Sequence, residues 1–391
     1  MNILKNNRLF FGVFYVVVLM LCLRAEAAEY YVSKGGSDAD DGLSMQKSWA
    51  TLSYALSKSS PVSPGDVVTV LEGEYVEQVR FEKSGTPTAM IRVRTEGDVV
   101  FRDPDPAGGT VGVGHMEAVL HIQDQSNLIV EGFRIEGSWH FGIGLYHVEN
   151  VIVQDCCTYN TGASGIYVGR WDHSVYRIFN RNVKILRCTI EKPGQHGKKW
   201  QGAQESLSVA ATDTFEVAYC RVFDSPRDGI DIKNGSRNGS LHHCIVHDIE
   251  KIGIYFDAWK MSTYNIDVYN NLSYNNFVGY ALIAEIDDGL LHDVRVRNNV
   301  ALNNGYAGLA FTVWGMGSKH VVRDVLVEDN IFIGNLRGVV ADNPDVESAL
   351  VTGNIISSSI TGDEFRFVPG AKVEQFDNFL IPFSMDVSQG N

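Results

Sequence analysis

The chain has 391 residues, a formal net charge of −14 at pH 7, 38 Gly and 10 Pro. Such an acidic chain excludes nucleic acid as a partner, because that affinity rests on clustered Lys and Arg; a polyanionic substrate stays open if the site supplies cations or a metal. Many Gly beside few Pro indicates a turn-rich β protein rather than a disordered one.

At the N-terminus Lys5 and Arg8 precede an apolar run from Leu9 to Leu23, and Ala25 and Ala27 stand at A-x-A positions. This predicts a signal peptide over 1–27 and a protein that is secreted or periplasmic. No second apolar run predicts a stable membrane span. Residues 28–90 follow, where "SWATLSYALSKSSPVSPGDVVTVLEGEY" reads as a short amphipathic helix, a Pro/Gly turn and a strand. A repeat stack needs its first layer covered, so this segment is the expected N-terminal cap.

Residues 91–361 carry an internal repeat. "GIGLY" from Gly142, "GIYVG" from Gly165, "GIDIK" from Gly229, "GIYFD" from Gly253, "GLAFT" from Gly308 and "GVVAD" from Gly338 share one pattern, with "SLSVA" from Ser206 and "GYALI" from Gly279 between them. Each reads as a short strand with its second and fourth residues inward. A second register holds Cys156, Cys188, Cys220 and Cys244, then Asn271, Asn299, Asn330 and Asn354, at steps of 24 to 32 residues. A column of this kind arises when equivalent positions stack coil upon coil. Repeats of this length without helical period predict an all-β fold, a single-stranded parallel β-helix with a short capping helix. Inward Asn would hydrogen-bond along the column; inward Cys is expected as free thiol, with a disulfide between stacked coils as the alternative in an exported protein. The tail, 362–391, loses the repeat and is the expected C-terminal cap. One elongated domain, 28–391, accounts for the whole, and a monomer is expected.

The segments "YYVSKGGSDADDG", "SWATLSYAL" and "PGDVVTVLEGEY", with the Asn-rich coils, resemble the exported right-handed parallel β-helix proteins of the pectate-lyase-like superfamily. That resemblance implies the fold, but the fold hosts lyases, hydrolases, epimerases and adhesins.

The outward positions of the strands locate a site. The middle coils offer Tyr167, Asp231, Lys233, Tyr255 and Asp257, followed by Trp259 and Lys260, with Glu285 and Trp314 further along. Charges are central and aromatics flank them, which predicts an open groove for a sugar chain with "RDGIDIKNGS" (227–236) as floor. Tyr167, Tyr255, Trp259, Glu285 and Trp314 are the expected substrate contacts. Glu205, Asp228 and Asp231 offer clustered oxygens suited to Ca2+, and Lys233 or Lys260 is the candidate base. These parts suit β-elimination on a uronate polysaccharide, Asp231 and Asp257 taking part. "RDGID" is similar to the D-D-G-x-D calcium-binding run of family 9 polysaccharide lyases: Asp228 and Asp231 match the second and third acids, Arg227 replaces the first, and the family's Lys base has Lys260 as its nearest counterpart. Two readings stand beside this one. A glycoside hydrolase would use two of Asp228, Asp231 and Asp257 as acid and base or nucleophile. A glycan-binding or adhesive solenoid would treat the charges as a solvated cross-strand ladder.

Overall fold

The computed structural model describes residues 27–107, 118–170, 176–195, 205–286, 289–313, 318–357 and 363–381. Residues 1–26 of the leader expected over 1–27, and Trp314, lie outside them. Among the described residues no helix is long and apolar enough to cross a membrane.

Every strand pairing between coils is parallel. A representative coil runs through Ile230–Lys233, Arg237–His242 and Ile245–Ile249, and the next begins at Ile252–Ala258. Each strand hydrogen-bonds to its counterpart one coil on: Ile230 sits opposite Ile254, Leu241 opposite Val268 and Val246 opposite Ser273. The result is a three-faced prism. One face is an 11-stranded sheet of the described "Gly–apolar–x–apolar" segments, and the long Val67–Val76 and Ile91–Arg102 strands merge the other two into one 23-stranded sheet.

Alternation sorts the side chains as expected. Ile230, Ile232, Ile254, Phe256, Leu282 and Leu309 belong to one continuous core. The second register forms the expected columns. Asn271 Nδ2 donates to Asn299 Oδ1 at 2.9 Å, Asn299 to Asn330 at 3.1 Å and Asn330 to Asn354 at 2.9 Å. Buried amides are thereby satisfied along the axis. The thiols of Cys156, Cys188, Cys220 and Cys244 fill the same column in earlier coils, buried and unbridged.

What makes the corner is a left-handed residue just before each column member. Asp155, Arg187, Tyr219, His243, Asn270, Asn298 and Asp329 all have φ of 53° to 59°. Asn and Asp take this conformation at low cost, which explains the "NN" and "DN" pairs.

At the N-terminal end the helix is a single turn, Leu52–Ala55, capped by Thr51 Oγ1 accepting the Tyr54 N–H at 3.1 Å. Trp49, Leu52, Ala55 and Leu56 close the core there. The cap also takes part in the stack, because Glu29–Val32 pairs with Val67–Val76. The tail departs from the expectation that it loses the repeat. Phe365–Phe367, Val373–Phe376 and Phe379–Ile381 add another coil, and Asn378 Oδ1 extends the column by accepting from Asn354 Nδ2 at 2.9 Å.

Candidate active site

The site grows from the alternation in "GIDIK". With Ile230 and Ile232 committed to the core, Asp231 and Lys233 must point outward. Across the sheet Asp231 lies opposite Ser208 on one side and Tyr255 on the other, and Lys233 lies opposite Ala210. Small neighbours leave the Lys233 side chain room to turn back towards the coil before. Its Nζ lies 2.5 Å from Glu205 Oε1 and 2.9 Å from Asp231 Oδ2. Asp257 follows two residues after Tyr255 on the next strand, where it accepts the Asn234 N–H. The Tyr255 hydroxyl donates to Glu285 Oε1. Four carboxyl groups thus gather around one ammonium.

The expected open groove is not what these residues form. Asp231 is 0 % exposed, Asp257 2 %, Tyr167 2 % and Tyr255 5 %. Tyr167 and Tyr255 are therefore part of the floor and not open platforms, and the charges are not a solvated ladder. Glu205, Asp228 and Glu285 are only partly buried and form a rim above this floor. Tyr167 stacks on Phe141 at 4.7 Å and packs with Tyr146, Ala118 and Ala163 on one flank. On the other flank Tyr255 packs with Val278, Ala281, Ile283 and Ala310.

Burial dominates the electrostatics. It drives the carboxyl groups of Asp231 and Asp257 well above the usual carboxylate range; Lys233 opposes this at both, while Glu285 adds to the rise at Asp257. Glu285 is raised by the same desolvation. At Asp228 burial, then the Glu205 charge, pushes the carboxyl up to about 6. Lys233 behaves in the opposite sense: burial favours its neutral form, but Asp231, Glu205 and Asp257 outweigh that and hold it as an ammonium. Neither Asp231 oxygen has a well-directed hydrogen bond despite the nearby ammonium, and Asp257 Oδ1 also lacks one. Buried carboxyl oxygens without a fixed partner, with displaced proton affinities, mark these residues as the candidate reactive cluster.

The remaining predicted residues lie elsewhere. Lys260 is exposed, with Nζ 4.8 Å from the centre of the Tyr176 ring. Trp259 and Lys260 both donate to the Tyr176 hydroxyl, and Arg170 stacks on the same ring at 4.5 Å. Sequence reasoning missed Tyr176, Arg170 and Phe141, which carry no repeat signature. It also missed Lys251, an exposed cation whose charge is felt at Asp228 and Glu285; its place just before a strand, like that of Asp228, was the available signal.

The proposed calcium ligands are otherwise engaged. Lys233 lies against Glu205 and Asp231, and Asp228 Oδ1 accepts the Ile252 N–H at 3.1 Å. Among the described residues no group of three or more His, Cys, Asp or Glu is arranged to hold a metal ion. These residues do not fit a calcium site as they stand, and no chemical step below passes through a metal.

A model of the right-handed β-helix region matches residues 91–201. No curated protein matches the chain. Among solved structures, the native GH136 lacto-N-biosidase from Eubacterium ramulus is similar with a TM-score of 0.64 at 13 % identity, over 96 % of this chain and 71 % of that one. An exopolygalacturonase from Thermotoga maritima gives 0.61 at 15 %, over 81 % and 84 %. Pectate lyase Pel9A gives 0.60 at 12 %, over 84 % and 80 %. The architecture is a right-handed parallel β-helix of the pectate-lyase-like kind.

Proposed function

We propose that this protein is a glycan-cleaving enzyme that works by carboxyl acid–base chemistry, that is, a glycoside hydrolase, in preference to a lyase with a Lys base. The observation that carries this reading is the state of Lys233. An ammonium held at 2.5 and 2.9 Å by two carboxylates cannot take up a proton, and Lys260 lies over Tyr176 instead of at the cluster. Carboxyl groups with displaced proton affinities are, by contrast, what glycoside hydrolysis needs.

The roles follow from the surroundings. Of the two central carboxyls, Asp231 and Asp257, Asp231 is the one with an ammonium at contact distance, which works against its burial and makes it the better base or nucleophile. Asp257, buried beside Glu285, retains a proton and suits the acid that protonates the leaving oxygen. The two sit on adjacent strands, two positions apart. A strand spacing of about 4.8 Å and a rise of about 3.3 Å per residue put their backbones roughly 8 Å apart. Carboxyl pairs in glycosidases span about 5 to 9.5 Å.

The fold neighbours support a glycan as substrate: by name they are a lacto-N-biosidase, an exopolygalacturonase and a pectate lyase. They favour neither cleavage over the other. The predicted leader supports action outside the cytoplasm.

The test is to incubate the protein with a panel of neutral and uronate glycans, measuring new reducing ends and the ultraviolet absorbance of unsaturated uronate ends. The expected outcome is reducing ends without an absorbance rise, and a loss of about 10² to 10⁴ in kcat for Asp257→Asn. An absorbance rise would establish elimination and sink this reading.

A further inference from the structure

We propose that the sugar unit bound over Asp231 and Asp257 is neutral, bearing no carboxylate, sulfate or phosphate. This rests on the hydrolase reading for its chemistry, and on the charge map of the outward sheet face for its substance.

The cluster contains Glu205, Asp228, Asp231, Asp257 and Glu285. Lys233 is the ammonium among them, and it is already committed to Glu205 and Asp231. Lys251 acts only from an exposed position at the side. An anionic sugar would have to displace one of the two carboxylates from Lys233, leaving that carboxylate buried without a counter-ion, which is strongly unfavourable. Burial beside the other carboxyls also favours the neutral form at Asp257 and Asp228, so the cluster resists further negative charge. A further anion would meet the same resistance.

Of the cations at the strand ends, Arg170 and Lys260 lie over the Tyr176 ring at 4.5 and 4.8 Å, and Lys251 stands at the side. Among the described residues, the strands from Phe141–Tyr146 to Val339–Ala341 carry one cation on the outward face, Lys233. Arg80, on Val79–Phe81, and Arg366, on Phe365–Phe367, each lie five strands from Asp231. At about 4.8 Å per strand that is roughly 24 Å, well beyond a sugar ring seated at the cluster. What flanks the cluster is apolar: Phe141, Tyr146 and Tyr167 on one side, Val278, Ala281 and Ile283 on the other. These residues are buried, and a carboxylate brought in beside them would lose water without gaining a polar partner. A site that recognised an acidic chain would be expected to present complementary charge.

Matched substrates separate charge from shape. Polygalacturonate, alginate and glucuronoxylan are each compared with their carboxyl-reduced forms, together with neutral hexose and N-acetylhexosamine oligosaccharides, following reducing ends and unsaturated ends. Reducing ends formed from neutral members at least tenfold faster than from acidic ones support both readings. Reducing ends formed from an acidic polymer as fast as from its reduced form overturn the neutral subsite and leave the hydrolase standing. Unsaturated ends overturn both. A second arm, electrophoresis of the protein through gels containing polygalacturonate or its reduced form, decides the case in which no product forms. Retardation by the reduced polymer alone keeps the neutral subsite while the hydrolase reading falls, and retardation in the acidic gel, or in neither, overturns it.

Discussion

Asp228 shows how much one carboxyl can cost a fold. In the unfolded chain it would release its proton near pH 4, but in the folded chain it holds that proton to about pH 6. Folding therefore takes up a proton between those values, and stability falls as pH rises through that window. Above pH 6 the penalty is complete, at most about 3 kcal/mol for a shift of about two pH units. Asp228→Asn keeps an Oδ1 to accept the Ile252 N–H while removing the charge. It should gain about 1–3 kcal/mol at pH 7 and flatten the pH dependence of chemical unfolding between pH 4 and 6. An unchanged profile would mean that Asp228 is solvated.

At the scale of the column, Asn and Cys are stacked alike but do different work. The Asn330 side chain makes four hydrogen bonds: to Val296 O and Asn354 Oδ1 at 2.9 Å each, and from the N–H and Nδ2 of Asn299 at 2.9 and 3.1 Å. Cys220 Sγ makes only two contacts of 3.5 Å with backbone carbonyls. Leaving buried donors and acceptors unmet costs about 1–3 kcal/mol each, so Asn330→Ala should lose about 3–5 kcal/mol against roughly 1 for Cys220→Ala, read from denaturant midpoints. Equal losses would reduce the Asn column to packing. The column was legible in the sequence because its members recur by identity. The left-handed corner before it was not, since Arg187, Tyr219 and His243 hide the Asn/Asp signature there. Similarly, alternation assigned Asp231, Lys233, Tyr255 and Asp257 to the outward face, but a two-residue period carries no information on what lies over that face. Burial, and with it the ion pairing that fixes Lys233, needed the third dimension.

For the whole molecule, each coil is held by its two neighbours, so stability accumulates along the axis as a sum of interfaces. The last described coil was missed in the sequence because "FRF" has no leading Gly and Asn378 falls beyond the regular segments. Its contribution is nonetheless of the same kind as the others. Phe365, Phe367, Ala371 and Val373 pack on the core, and Asn378 Oδ1 receives both the N–H and the Nδ2 of Asn354 at 3.0 and 2.9 Å. Ending the chain after Ser357 would strip that apolar cover, leave those two donors without their acceptor, and open Val339–Ala341, Ala349–Thr352 and Ile355–Ser357 as unpaired edges. Unpaired strand edges template association between chains. The shortened protein should melt several degrees lower, corresponding to a loss of at least about 2 kcal/mol, and elute as larger species on size exclusion. If it melts with the parent and stays the same size, the fold ends at Ser357 and the final coil is decoration.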